Sequence, residues 1–411
     1  TLTLSGGITG TNNLTIGGAG DTTISGNVTT STGTLTKDGT GTLTLSGNNT
    51  YTGATMISAG TLKVGGTTGL ASGSALNVDG GFLDLNGFNA TVASLGAGNA
   101  AGTITNSASG SGTNTLTITN LNVNLATLIT DGATAKTAVT MNSAGAPVLS
   151  NANNTFSGGL TLANNNTRLY QGSVTSTYVN GTLTKSNLGT GTIYIGANGS
   201  TGAAQLMLNS GSVYNNIIVN AATYSDGGSA AFRIDGTVAF YGTLTAGASD
   251  ISFSGYSTGS ATAYGQLTGT NGLLLKTPSG GLTTLTLNNT ANAANNYSGN
   301  TTISANTTLA LGAANQIANG VGKGNLIINS GNFTMGGYSE TINGLSGNGT
   351  IDGVSGTPTL TVGDNASFSF FTGSSMMPIS TGRPVRPAPT PTPRYPPAPP
   401  GAVNSPVRLT S

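Results

Sequence analysis

Leu76-Asn77-Val78-Asp79-Gly80-Gly81-Phe82-Leu83-Asp84-Leu85-Asn86-Gly87-Phe88-Asn89-Ala90-Thr91-Val92-Ala93-Ser94-Leu95 returns without a gap as Leu326-Ile327-Ile328-Asn329-Ser330-Gly331-Asn332-Phe333-Thr334-Met335-Gly336-Gly337-Tyr338-Ser339-Glu340-Thr341-Ile342-Asn343-Gly344-Leu345. Apolar positions stay apolar: Leu83 becomes Phe333, Leu85 becomes Met335 and Val92 becomes Ile342. Gly81 and Gly87 stay glycine, and the aromatic Phe88 becomes Tyr338. The acids drift, Asp79 to Asn329 and Asp84 to Thr334. A self-copy of this kind means stacked units, each too small to bury its apolar face alone.

Composition says which unit is stacked. The 411-residue chain holds 66 Gly, only 6% charged residues and no Trp, His or Cys, and it lacks the Ala, Glu, Lys and Leu bias of helices. Thr1-Leu2-Thr3-Leu4, Thr42-Leu43-Thr44-Leu45, Thr115-Leu116-Thr117-Ile118 and Leu285-Thr286-Leu287 alternate at period two, which sends the aliphatic side chains to one face and Thr to the other. Gly, Asn and Ser clusters such as Ser46-Gly47-Asn48-Asn49 mark turns between them. The apolar pairs Leu43/Leu45, Leu62/Val64 and Leu83/Leu85 recur at the length of one solenoid coil, roughly 20 residues. A sandwich would turn every 8 to 12 residues or so and would not copy itself at long range. The expected fold is all-β, a β-solenoid.

One segment is longer and more specific. Leu35-Thr36-Lys37-Asp38-Gly39-Thr40-Gly41-Thr42-Leu43-Thr44-Leu45-Ser46-Gly47-Asn48-Asn49-Thr50-Tyr51-Thr52-Gly53-Ala54-Thr55-Met56-Ile57, then Gly60-Thr61-Leu62-Lys63-Val64, returns in part as Asn154-Thr155-Phe156-Ser157-Gly158 and as Asn296-Tyr297-Ser298-Gly299-Asn300-Thr301-Thr302-Ile303. Residues 35–64 resemble the autotransporter-associated β-strand repeat, also called the passenger-associated transport repeat, and residues 275–362 resemble it again. The resemblance implies a right-handed parallel β-helix, the secreted passenger region of a bacterial autotransporter. It implies export by a type V route, display on a Gram-negative surface, and a repeat that assists passage or folding rather than catalysis. Stacking supplies a physical reason, because each new coil buries its Leu, Ile and Val layer on a finished template at roughly 25 cal/mol per Å².

Charge constrains partners. Residues 1–377 hold 8 Lys and Arg against 11 Asp and Glu, with no basic stripe for nucleic acid. No run approaches the roughly 18 apolar residues of a membrane helix, and the export barrel expected of an autotransporter is not contained in this chain. Residue 1 falls inside a strand pattern, so the chain is expected to begin in the middle of a longer repeat region. Eleven of the 14 prolines fall from Pro378 onward, with Arg383, Arg386, Arg394 and Arg408 and no acid. The expected organisation is therefore a β-helical passenger-like region over 1–372 and a disordered Pro/Arg-rich tail over 373–411, foreign to the repeat pattern as in a fragment or a truncated or frame-disrupted reading frame.

Candidates for chemistry are few. Without His or Cys there is no triad and no zinc or thiolate site. A carbohydrate-active enzyme would need converging acids, and the near neighbours are Asp79/Asp84 and Arg233/Asp235, with Asp226 nearby. Asp79 reads as a turn residue, Asp84 as facing water between Leu83 and Leu85, and Arg233/Asp235 as a surface ion pair. Gly96-Ala97-Gly98-Asn99-Ala100-Ala101 matches a dinucleotide pattern by letters, but Gly102-Thr103-Ile104 continues as turn and strand instead of helix. No catalytic, cofactor-binding or metal residue is assigned, and no cofactor is expected.

Tyr51, Phe156 and Tyr297 each precede a Gly turn and an apolar strand, and are expected to stack on a neighbouring coil rather than to offer sugar platforms. Asn-Asn pairs at 48, 153 and 295 are expected to ladder at a corner. Thr-x-Thr pairs at 1/3, 42/44 and 115/117 raise an ice-binding face, interrupted by Lys63, Asp84 and Asn77. The leading expectation is a non-enzymatic stalk or adhesin outside the outer membrane, facing a host surface, matrix protein, glycan or another copy of itself. A β-helical carbohydrate-active enzyme is the alternative, and an ice-binding solenoid a minor one.

Overall fold

Strand formation follows the alternation directly. In Thr42–Leu45 the leucines are buried and the threonines half-exposed, and the same inward/outward pattern recurs in Thr61–Val64, Thr283–Leu287 and Thr307–Leu311. The computed structural model describes residues 1–96, 101–120, 124–163, 166–198, 202–220, 230–255, 258–276, 283–290, 293–353, 355–363, 370–375 and 379–381. They fall into two units, Thr1–Leu206 and Met207–Ser411. No helix occurs among the described residues.

In Thr1–Leu206 a seven-stranded ladder runs Leu2–Leu4, Thr22–Ile24, Thr42–Leu45, Thr61–Val64, Phe82–Asp84, Thr103–Thr105 and Leu128–Ile129. A five-stranded ladder runs beside it through Leu14–Ile16, Leu35–Lys37, Thr55–Ile57, Ala75–Val78 and Ser94–Leu95. All pairings in both are parallel and in register, for example Leu43 opposite Leu62 and Leu62 opposite Leu83. Each coil therefore lays its aliphatic residues on those of the coil before, and the core is a set of columns such as Ile24, Leu45 and Val64, each at most 1% exposed. Coil spacing varies: hydrogen bonds between adjacent coils span 21 residues at Thr42 to Asp21 and 26 at Thr115 to Asn89.

Corners demand small residues where backbones close on each other. A Cβ on Gly26 would run into the carbonyl of Gly6, and one on Gly47 into that of Gly26. Here glycine is required by the approach of one coil to the next rather than by dihedral freedom.

Met207–Ser411 repeats the scheme. One ladder contains Gly259–Ala263, Thr283–Leu287, Thr307–Leu311, Asn332–Thr334 and Thr350–Asp352, and another contains Ile251–Ser254, Leu273–Leu275, Thr301–Ile303, Leu326–Ile328 and Leu345–Gly347, all parallel. Phe232–Phe240 joins both, pairing through Phe232 with Phe253 and through Thr237 with Ser260. Phe232, Phe240 and Phe253 cluster in its interior at ring separations of 5.2, 4.9 and 5.9 Å.

The self-copy is structural as well as sequential. Ala75–Val78, Phe82–Asp84, Ala90–Val92 and Ser94–Leu95 correspond to Leu326–Ile328, Asn332–Thr334, Glu340–Ile342 and Leu345–Gly347. Both copies turn identically: Asn86 and Gly87 in one, Gly336 and Gly337 in the other, have positive φ. The Phe88 and Tyr338 amides donate to the Leu85 and Met335 carbonyls at 2.9 Å in each.

One element stands apart from the ladders. Ser176–Val179 and Thr182–Ser186 form an antiparallel hairpin across Asn180-Gly181, whose φ values of 49° and 81° are those of a type I′ turn. Tyr178 and Val179 are exposed on it. At the other end of the chain, parallel pairing continues through Ser374–Ser375 and Ile379–Thr381, residues on the tail side of the boundary read at 372. The remainder of the Pro/Arg-rich tail lies outside the described residues.

Candidate functional site

The chemistry of this chain that recurs is concentrated where 35–64 meets its neighbours. Asn49 is 5% exposed. Its carboxamide oxygen accepts the Val28 amide at 2.8 Å from the preceding coil, and its nitrogen donates to the Gly69 carbonyl at 2.7 Å on the following coil. One side chain thus joins three coils and satisfies two backbone groups that would otherwise be orphaned inside the corner. Beside it the buried Tyr51 hydroxyl meets Thr55 Oγ1 at 2.8 Å, Thr55 Oγ1 meets Ser74 Oγ at 2.9 Å, and Ser74 donates to the Gly53 carbonyl at 2.8 Å. With Ser74 donating to a carbonyl, the chain has a single direction, Tyr51 to Thr55 to Ser74 to Gly53. Burial pushes the Tyr51 phenol up to about 12, against the opposing contacts from Thr55 and the Ala71 backbone.

The arrangement recurs at the two other aromatic turns. Asn154 accepts the Ile129 amide at 2.9 Å and donates to the Asn187 carbonyl at 3.0 Å. Asn295 accepts the Leu267 amide and donates to the Gln316 carbonyl, both at 2.8 Å. In each case the bridging Asn lies two residues before a fully buried Phe156 or Tyr297. The aromatics are inside the coils, as expected. The Asn pairs do not ladder with each other: Asn49, Asn154 and Asn295 bind backbone groups of the adjoining coils, because the corner leaves those groups without strand partners.

The third copy extends further. Tyr297 Oη meets Thr301 Oγ1 at 2.6 Å, and Gln316, whose carbonyl takes Asn295, passes its amide to Glu340 Oε2 at 2.7 Å. Glu340 is 1% exposed where the first self-copy has Ala90. Its Oε1 also accepts the Thr341 amide at 3.2 Å. Burial dominates and lifts this carboxyl to about 7, although the backbone donors of Gln316, Ile317 and Thr341 pull the other way.

Lys37 is buried too, in an inward position between Ile16 and Ile57 of the ladder. Its Nζ donates to the carbonyls of Gly39, Asp38 and Ala59 at 2.7, 3.2 and 3.3 Å. Burial lowers its pKa, while the charges of Asp38 and Asp21 oppose the shift. The ammonium closes the Lys37-Asp38-Gly39 turn onto the next coil.

The passenger-associated-transport-repeat model matches residues 35–64. This transport repeat opens on Leu35–Lys37 and closes on Thr61–Val64. It contains Lys37, Asn49, Tyr51 and Thr55, whereas Val28, Gly69 and Ser74, which complete its polar contacts, lie outside it. The repeat is therefore a segment that cannot satisfy its own buried groups without the coils on either side. Nothing matches among curated proteins or among solved structures.

Beyond the transport repeat, the acids weighed in the sequence are distributed as follows. Asp84 does not face water: it is 5% exposed. Its Oδ1 accepts the amides of Asn86 and Ser107 at 2.9 and 2.8 Å, and its Oδ2 accepts Ser107 Oγ at 2.5 Å and lies 3.7 Å from Lys63 Nζ. Strand alternation placed it outward correctly, but the following coil folds Ser107 over it. Asp131 repeats the motif, accepting the Thr137 amide at 2.8 Å and Ser157 Oγ at 2.6 Å. Asp79 lies partly exposed in the turn after Ala75–Val78.

Arg233 and Asp235 form the expected ion pair on one strand, Nε to Oδ1 at 3.0 Å and a terminal nitrogen to Oδ2 at 2.7 Å. Asp226 and residues 97–100 of the glycine pattern lie outside the described residues. Among the described residues no three His, Cys, Asp or Glu gather as metal ligands, and no helix is long and apolar enough to cross a membrane.

Proposed function

We propose that this chain is passenger sequence of an autotransporter-type protein, secreted or displayed on a bacterial surface, where it acts as a non-enzymatic stalk or adhesive surface. The observation that carries the reading is the transport repeat at 35–64 folded as coils whose buried Asn49 is satisfied only by the coils before and after it. Such a segment gains its full set of hydrogen bonds when the chain emerges and folds in sequence, which biases movement outward without ATP. The commitment of Asp84 and Asp131 to backbone amides and serine hydroxyls supports a structural rather than catalytic role for these acids.

The test fuses residues 1–381 to an autotransporter barrel in a Gram-negative host and measures surface display by protease accessibility of intact cells. Removing 35–64 is expected to reduce display more than removing an equal length at 251–280. Equal display from both deletions would overturn the export role. Arrays of glycans and matrix proteins, with turnover assayed on each glycan bound, separate an adhesin from an enzyme: binding without turnover is expected.

A further inference from the structure

In the Met207–Ser411 unit, the parallel register brings one outward position of six successive strands into line. Thr237, Ser260, Thr284, Thr308, Asn332 and Thr350 form one column. Two residues on along each strand, Ala239, Thr262, Thr286, Ala310 and Thr334 form a second column, hydroxyl-bearing at three of its five positions. Tiers are about 4.8 Å apart and the columns about 6.6 Å apart, the strand spacing and twice the rise per residue of a sheet. Neither column carries a charge before Asp352. In the other unit, by contrast, the outward column of Thr3, Thr23 and Thr44 runs into Lys63 and Asp84.

Ser260 Oγ donates to Thr237 Oγ1 at 3.3 Å within the first column, and the other threonine hydroxyls are not used by the fold. Thr262, Thr284, Thr286, Thr308, Thr334 and Thr350 make no side-chain hydrogen bond to protein, whereas Thr29, Thr52 and Thr119 elsewhere donate to carbonyls of the preceding coil. β-branching restricts χ1, so the array is held with little rotamer freedom left to lose. One hydroxyl binding water gains almost nothing over bulk solvent, and only a rigid set of equally spaced sites can hold water in register.

The flank of this face decides between water and sugar. Tyr241, directly after Phe232–Phe240, stacks on Tyr214 at 4.7 Å and on Tyr264, directly after Gly259–Ala263, at 4.9 Å, each pair within 10° of parallel. The rings cover each other: the middle one has both faces occupied and each outer one a face occupied. Sugar platforms need an open ring face, and this row presents mainly edges. An uncharged lattice of hydroxyls and methyls complements an uncharged lattice of water, and offers nothing to a polyanion.

We propose that the uncharged Thr/Ser face running from Thr237 to Thr334 is an ice-binding surface, holding water on two columns of hydroxyls at the spacing of the coils. It stands independently of whether the chain is an exported passenger. The purified full chain is to be tested for partition into a slowly growing ice hemisphere and for shaping of single ice crystals. Thr286→Tyr breaks the lattice by bulk, and Thr286→Val removes one hydroxyl while keeping shape; Thr23→Tyr, on the face closed by Lys63 and Asp84, is the control. Circular dichroism and thermal melting check that each variant folds.

The expected result is enrichment of the chain in ice, lost in Thr286→Tyr, reduced in Thr286→Val and unchanged in Thr23→Tyr. Exclusion of the parent chain from ice overturns the proposal, as does enrichment that both Thr286 variants retain. Sedimentation with insoluble cellulose or chitin in the absence of ice activity also overturns it and assigns the face to glycan.

Discussion

The Tyr297 hydroxyl lies 2.6 Å from that of Thr301, and the same pair recurs in the transport repeat as Tyr51 and Thr55 at 2.8 Å. At the third aromatic turn both members change together: Phe156 has no hydroxyl, and the residue four further on is the buried Leu160. The interior thus holds either a polar pair or an apolar pair. Tyr297→Phe is expected to cost about 1–3 kcal/mol, because it strands the Thr301 hydroxyl, while Tyr51→Phe costs about 1 kcal/mol, since Thr55 keeps Ser74. Tyr297→Phe with Thr301→Val should recover most of the loss. Urea denaturation of the four proteins checks the order, and equal losses from the two single variants would refute it.

Asn49→Ala removes an acceptor from the Val28 amide and a donor from the Gly69 carbonyl, both in the interior. A loss of about 2–4 kcal/mol is expected, with hydrogen-exchange protection falling at the Val28 amide in particular. Unchanged protection there would show that another group takes over.

Asp84 and Lys63 separate a buried hydrogen-bonding role from a surface ion pair. Asp84→Ala leaves the Asn86 and Ser107 amides unpaired and should cost about 2–3 kcal/mol. Lys63→Ala loses only a 3.7 Å contact from a partly exposed ammonium and should cost less than about 1 kcal/mol. Similar losses would mean that the ion pair, not the amide contacts, holds the corner.

Glu340 makes this end of the fold sensitive to pH. Its folded value near 7 lies above its ordinary 4.5, so the folded chain binds the proton more tightly than the unfolded chain. The stabilisation is fully present below about 4.5, declines as pH rises towards 7 and is flat above, a span on the order of 3 kcal/mol. Hydrogen exchange at the Gln316 and Thr341 amides, corrected for intrinsic rates, should report this slope, and Glu340→Gln should abolish it. An identical slope in the variant would assign it to another group.

Much of the architecture is written locally. Period-two alternation in Thr42–Leu45 and the return of Leu76–Leu95 as Leu326–Leu345 suffice for strands, for stacking and for parallel register. The burial of Lys37 was legible by the same rule, since it shares a face with Leu35, and so was that of Glu340, which shares one with Ile342. What alternation could not convey is the next coil. Asp84 is outward by strand parity and buried by Ser107, 23 residues on. The Asn49 contacts likewise depend on residues 21 before and 20 after it. The Thr columns of the second unit are not legible in single strands, since only the register aligns Ser260 with Thr284, Thr308 and Asn332 on successive coils. The hairpin at Asn180-Gly181 carried an ordinary turn signal inside a strand pattern that otherwise resembles a coil.

That hairpin has a consequence for how such a chain can change. It leaves the ladder after Thr175 and returns at Asn187, where the Asn187 carboxamide takes the Thr175 amide at 2.6 Å and its carbonyl takes Asn154 across a gap of 33 residues. The base is sealed by side-chain and backbone contacts that ignore what lies between. A foreign peptide spliced between Asn180 and Gly181 would therefore be carried as cargo, its sequence free to vary while the scaffold beneath keeps its own stability.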